Sequence, residues 1–341
     1  MKSLYAIAAG AALALLPASV KVNDFETEVL DATENAELHG MPLSMNELQP
    51  NGNEVTKYAF VVVASGRGER GADLSDPIDK NFFWLGGVRV YDSLREMGFQ
   101  PENIRFLYST GDPDFTDTLE ARAIQMVKEE QFNGTYDNKA TEANINLHLR
   151  RFAGLVDSND IFAMYIGTHG APSFLELEAD GYFSAWTARE VQESVDKINP
   201  GFGILYSDAC HSGAFIAQLN LPEYVAISTT GSHTYGWGDR YFSGGSYFFQ
   251  NMTDGEADAN VDGKITVMEA YNRAQSEATA HMQRIDNYLH YTYNWGSFGG
   301  YESEVVTGKI SVQQEMVVGS SASADFYIYD TNMTPIPQPT Q

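Results

Sequence analysis

"DIFAMYIGTHG" (residues 160–170) and "FGILYSDAC" (residues 202–210) decide the fold. Each opens as a continuous apolar run without polar alternation, the pattern of a strand buried on both faces. Each then stops abruptly, the first at Gly167, Thr168, His169 and Gly170, the second at Asp208, Ala209 and Cys210.

Outward from these two, "KYAFVVVASG" (57–66), "NIRFLYST" (103–110) and "YVAISTTGS" (224–232) read as further strands. Between them lie segments of helical spacing: "FFWLGGVRVYDSLREMGF" with Gly98 as C-cap, "TLEARAIQMVKEEQF", "ATEANINLHLRRFAGLV", "AREVQESVDKI" and "SYFFQNM". Thr187, with Glu190 three residues on, predicts a capping box at the start of the fourth. Strands alternating with helices predict an α/β fold over about residues 57–290, a mainly parallel sheet covered by helices on both faces.

The remaining segments are appendages. A lysine at position 2, an apolar run from Leu4 to Leu16 and small residues at Ala18 and Ser19 predict a secretory signal over 1–20. A retained anchor is the alternative, but the run is short for a span and no cysteine follows it to take a lipid. Residues 21–56 are acidic and end in the turn-rich "QPNGN", which predicts a linker or propeptide. The main domain then runs over 57–300. In the extension 301–341, "KISVQQEMVV" and "ADFYIYD" alternate weakly, predicting a hairpin or added edge strands, and "TPIPQPTQ" predicts a disordered end.

Forty-six acidic against 21 basic residues give a formal charge of −25, which opposes binding to nucleic acid or anionic membranes. The expected product is a secreted or periplasmic protein with no membrane span after signal removal. Cys210 is the only cysteine of the 341-residue chain, so an exported form cannot hold it in an internal disulfide. Its thiol is either inert through burial or kept for chemistry.

In open α/β sheets, ligands collect beyond the carboxyl ends of the strands. His169 and Cys210 both stand there, one crossover apart in sequence. An imidazole beside a thiol can take its proton and activate the sulfur. The amides of Gly170 and Cys210 are candidates to stabilise a developing oxyanion. His211, although adjacent to the thiol, is not the expected base. Ser212 as a competing nucleophile fits poorly, because "CHSGA" lacks the G-x-S-x-G elbow.

"YIGTHG" followed by "DACHSG" resembles the paired signature of the caspase-like cysteine peptidases, which include legumains, caspases, metacaspases and gingipains. Tyr165, four residues before His169, has legumain-family (peptidase family C13) spacing, whereas "DACHSG" is more metacaspase-like. The resemblance covers about residues 57–252. It implies Cys210 as nucleophile, His169 as general acid/base, Gly170 and Cys210 as oxyanion donors, and peptide or protein substrates cleaved through a thioester. The region "NFFWLGGVRVYD" lacks the Arg-His pair that shapes the asparagine pocket of legumains. Asp208 and Asp239 are therefore candidates for a metacaspase-like Arg/Lys pocket, with Ser228 and Thr229 at its border. The alternative for the whole chain is a non-catalytic calcium-stabilised binding protein of the same fold.

"DANVDGKITVME" (258–269) matches the EF-hand loop pattern D-x-[DN]-x-[DN]-G-x5-E. Asp258, Asn260 and Asp262 are the expected side-chain ligands, Lys264 a carbonyl ligand, Thr266 a direct or water-mediated one, and Glu269 a bidentate carboxylate. With little helix expected before it, the loop reads as a structural calcium clip. No organic cofactor is expected.

Overall fold

The structure, a computed structural model, describes residues 55–65, 82–111, 113, 115–179, 182–236, 238, 241–293, 315–318, 322 and 327–330. The signal, most of the acidic segment, Asp239 and the proline-rich end lie outside the described residues.

Among the described residues six strands form the central sheet: β1 (Lys57–Val63), β2 (Ile104–Tyr108), β3 (Ile161–Gly167), β7 (Phe202–Asp208), β8 (Tyr224–Ser228) and β10 (Glu315–Val318). Their spatial order is β10-β8-β7-β3-β1-β2. Every pairing is parallel except that of β10 with β8. All seven residues of β3 and all seven of β7 are buried, as their unbroken apolar runs require.

Alternate side chains of each strand feed opposite cores. Ala59, Val61 and Val63 enter one cluster, with the helices α1 (Phe82–Glu96), α2 (Ala121–Glu130), α6 (Gly244–Asn251) and α7 (Val267–Tyr293). Phe60, Val62 and Ala64 enter the other, with α3 (Glu142–Ala153), α4 (Ala188–Val195) and α5 (Ser212–Ile216). Each buried Val, Leu, Ile or Phe contributes about 1.5–3 kcal/mol, so both faces of the sheet drive folding. The α1 helix ends as expected, with Gly98 at φ 86°.

The expected capping box is present at α4: Thr187 accepts from the Glu190 amide, and the Glu190 carboxylate accepts from the Thr187 amide. Between β3 and α4 the structure adds a small antiparallel sheet absent from the reading above, formed by β4 (Gly170–Ala171), β5 (Phe174–Ala179) and β6 (Tyr182–Thr187). At the other end, β10 joins the central sheet, whereas β11 (Tyr327–Asp330) pairs with β9 (Lys264–Thr266), so the described parts of the extension form two separate edge additions and not one hairpin. Among the described residues no helix is long and apolar enough to cross a membrane.

Candidate functional site

Because β3 and β7 are adjacent and parallel, with Gly167 opposite Asp208, their carboxyl ends finish side by side. His169 and Cys210 each stand two residues beyond that last registered pair. The Thr168 amide donates to the Asp208 carbonyl at 3.1 Å, extending the pairing past the strand ends. Gly170 then crosses directly over the cysteine: a Cβ at Gly170 would lie 2.7 Å from the Cys210 carbonyl oxygen and 3.0 Å from Ala209 Cβ. Only glycine allows the two backbones to come this close.

The Glu176 amide donates to the His169 carbonyl at 2.9 Å, and Thr168 Oγ1 donates to the Glu176 carbonyl. In an antiparallel pair hydrogen-bonded residues alternate with non-bonded ones. The Gly170 N–H, one residue on, therefore turns away from β5. The His169 ring is braced edge-on by Phe83 of α1, with centroids 5.1 Å apart and planes at 87°.

Cys210 is a half-buried free thiol. Burial pushes its thiol up, the Asp208 carboxylate adds to that, and the Gly236 amide, donating to Sγ at 3.3 Å, pulls the other way. His211 sits in the left-handed region at φ 56° and lies edge-on against Tyr235, with ring centroids 4.8 Å apart. Burial holds its imidazole below the usual histidine range, against the opposing pull of a hydrogen bond with the Ser232 backbone. These surroundings disfavour the charged ring.

Asp208 faces inward. Its Oδ2 accepts from the Tyr165 hydroxyl at 3.0 Å and the Gly245 amide at 3.2 Å, and its Oδ1 accepts from Thr229 Oγ1 at 2.6 Å. Burial raises its carboxyl above the ordinary aspartate range, while Thr229, Gly245, Ser243 and Tyr165 oppose that shift. Gly245 lies in the first turn of α6, so the carboxylate is also aligned with a helix N-terminus. Ser228 and Thr229 are buried, and Ser228 Oγ donates to the Thr230 carbonyl at 2.9 Å. The structure thus joins Asp208 and Thr229 directly, beneath the Cys210 turn.

Two contributors carry no sequence signal of their own. Thr230 links the chain after β8 to the turn after β7: its Oγ1 donates to the Ala209 carbonyl and accepts from the Ser212 amide, each at 3.3 Å. Gly236 reaches the sulfur by the hydrogen bond already described.

The calcium-pattern residues form a separate loop between α6 and α7. An entering helix is present after all, since α6 and a 3-10 turn at Gly255–Ala257 precede the loop. Asp258 accepts from the Asp262 and Gly263 amides, Asn260 from the Asp262 amide, and Asp262 from the Lys264 amide. Glu269 Oε2 accepts from the Thr266 amide and hydroxyl at 3.0 and 2.9 Å. Among the described residues no three His, Cys, Asp or Glu side chains converge to hold an ion. The donor set is nonetheless all oxygen, with three carboxylates, which fits calcium chemistry. Val261 at φ 60° is a β-branched residue in the left-handed region, a strained conformation.

No protein-family model matches the chain. No curated protein matches it. Among solved structures, the chain is similar to the crystal structure of caspase-1 from Spodoptera frugiperda at TM-score 0.48 and 8% identity, over 82% of this chain and 92% of that one. It is also similar to the structure of pro-sf-caspase-1 at TM-score 0.40 and 11% identity, over 69% of this chain and 85% of that one.

Proposed function

We propose that the chain is an exported cysteine endopeptidase in which Cys210 is the nucleophile and His169 the general acid/base. The observation that carries this reading is the in-register ending of β3 and β7, with His169 and Cys210 two residues beyond the Gly167–Asp208 pair. The close approach of Gly170 to Cys210 supports the same reading, because it brings the turns after β3 and β7 together.

In the proposed reaction, His169 takes the thiol proton as Sγ attacks the scissile carbonyl carbon. The carbonyl oxygen becomes an oxyanion facing the Gly170 and Cys210 amides. Collapse breaks the C–N bond, and His169 returns the proton to the leaving amine. Water, deprotonated by the same imidazole, then cleaves the thioester and regenerates the thiol.

The legumain-like spacing of Tyr165 relates the chain to that family, but the missing Arg-His pair removes the basis for asparagine selection. Asp208, held by Tyr165, Thr229 and Gly245, and Asp239 are the acidic residues proposed for an Arg/Lys pocket. The loop 258–269 is proposed to bind calcium structurally through Asp258, Asn260, Asp262, Glu269, the Lys264 carbonyl and Thr266. The strained Val261 supports a loop shaped for a ligand.

Labelling the purified full chain with peptidyl acyloxymethyl ketones bearing Asn, Asp, Arg or Lys at P1 tests the reading. The expected result is covalent labelling that is lost in Cys210→Ser and His169→Ala. Absence of labelling by every probe in folded protein freed of its acidic N-terminal segment would refute it.

A further inference from the structure

The turn that carries Cys210 is tied to a second segment, the chain from Ser228 to Gly236. His211 donates its amide to the Thr234 carbonyl at 2.9 Å, and Gly213 donates to the Thr230 carbonyl at 2.9 Å. Ser212 and Thr230 are joined three ways at 3.3 Å, amide to hydroxyl in both directions and hydroxyl to hydroxyl. Thr230 Oγ1 also donates to the Ala209 carbonyl at 3.3 Å. The segment is therefore fastened on both sides of the cysteine, at Ala209 and at residues 211–213. Its far end brings the Gly236 N–H to Sγ at 3.3 Å. A donor this well anchored does not have to be reoriented when the sulfur gains charge, the condition for electrostatic preorganisation.

We propose that the strap Ser228–Gly236 exists to hold the Gly236 peptide N–H on Cys210 Sγ, where it stabilises the thiolate as the proton leaves. The inference rests on the peptidase reading for its purpose, and it adds a third backbone donor, acting on the nucleophile and not on the substrate oxyanion. The groups facing the thiol are mixed. Asp208 on β7 opposes thiolate formation and the Cys210 amide favours it, His211 follows the cysteine in the turn, and His169 stands two residues beyond the end of β3. Among these, the strap amide is a fixed donor whose polarity does not change with pH.

Because Cys210 is the only cysteine, alkylation of the whole chain by iodoacetamide reads this thiol alone. The experiment follows alkylation rate against pH in the parent, Gly236→Pro and Gly236→Ala. Proline removes the N–H. Alanine keeps it, its Cβ lying 3.2 Å from Thr230 Cγ2. The expected result for G236P is a midpoint raised by about one pH unit, a roughly tenfold slower reaction below the midpoint, with G236A near the parent. A G236P midpoint equal to or below that of G236A overturns the proposal.

If G236P does not fold by circular dichroism, Thr230→Val and Thr230→Ser decide. T230V, which loosens the strap, raises the midpoint, and T230S, which keeps the hydroxyl, does not. Equal midpoints for the two overturn the proposal. Alkylation needs no peptidase activity. A shifted midpoint in a protein that no peptidyl probe labels therefore refutes the peptidase reading and leaves this inference standing.

Discussion

His148 shows how far a single residue's environment can carry a prediction. It is buried on α3 beside Phe60, and its ring lies 6.3 Å from that of Tyr136, itself covered by the Arg105 guanidinium at 4.1 Å and approached by Arg151 at 5.6 Å. Burial, then the two arginines, push its imidazole down from 6.5 to about 4. The folded pKa is depressed, so the unfolded chain binds the proton more readily. Stability is therefore full above pH 6.5 and is lost as pH falls towards about 4. Solvent screening of the ring keeps the loss to about 1–2 kcal/mol. His148→Phe is expected to flatten this limb, measured as urea-unfolding free energy against pH. An unchanged slope between these pH values would show that the histidine titrates normally in the fold.

The residues of the candidate site differ in how readable they were. Cys210 and His169 were legible because a change of residue type at the end of an apolar run is a local signal. Gly236 was not, because its role depends on a contact across 26 residues, made from a stretch without periodicity. Asp208 was visible as an acid beside the thiol. Its inward direction emerged only from the partners that surround it, Tyr165, Thr229 and Gly245.

Among the elements, the parallel strands were legible because burial on both faces leaves a continuous apolar run. The antiparallel pair β5 and β6 also left a signal. Leu175 and Leu177 are buried and alternate with Glu176 and Glu178, and the sequence Asp180-Gly181 separates the two strands, a strong hairpin cue. The strands β10 and β11 fall within the two weakly alternating stretches read as added edge strands, whereas β9, with three residues, has too few alternations to stand out. The α4 capping box is the element whose reading transferred intact. Thr187→Ala removes both the hydroxyl acceptor for the Glu190 amide and the hydroxyl donor to its carboxylate. The expected cost is about 1 kcal/mol. That corresponds to a melting temperature lower by about 2–4 °C, readable by calorimetry. A variant that melts with the parent would mean that packing of Val191 and Val195 alone fixes the helix.

For the whole molecule, the proposed calcium loop lies between α6 and α7, which pack on the same face of the sheet, and β9 at its end pairs with β11. An ion there would brace α7 and the β9–β11 pair. Calcium at about one hundred times its Kd would add about 2.7 kcal/mol. Excess chelator is expected to lower the melting temperature, and calcium to restore it while magnesium restores less. Identical melting curves with and without chelator would sink the calcium proposal.

The position of β10 at the outer edge of the sheet also sets an order in time. Its residue Glu315 registers with Ser228, the last residue of β8 and the first of the strap. A ribosome adding about 5–20 residues per second takes on the order of 10 s to travel from one to the other. During that interval the emerging chain already carries β1, β2, β3, β7 and β8, with the outer edge of β8 exposing unpaired amides and carbonyls. The sheet is finished only by a strand that emerges late. Synthesis therefore imposes a delay between the appearance of the thiol and the closing of the edge that braces its strap.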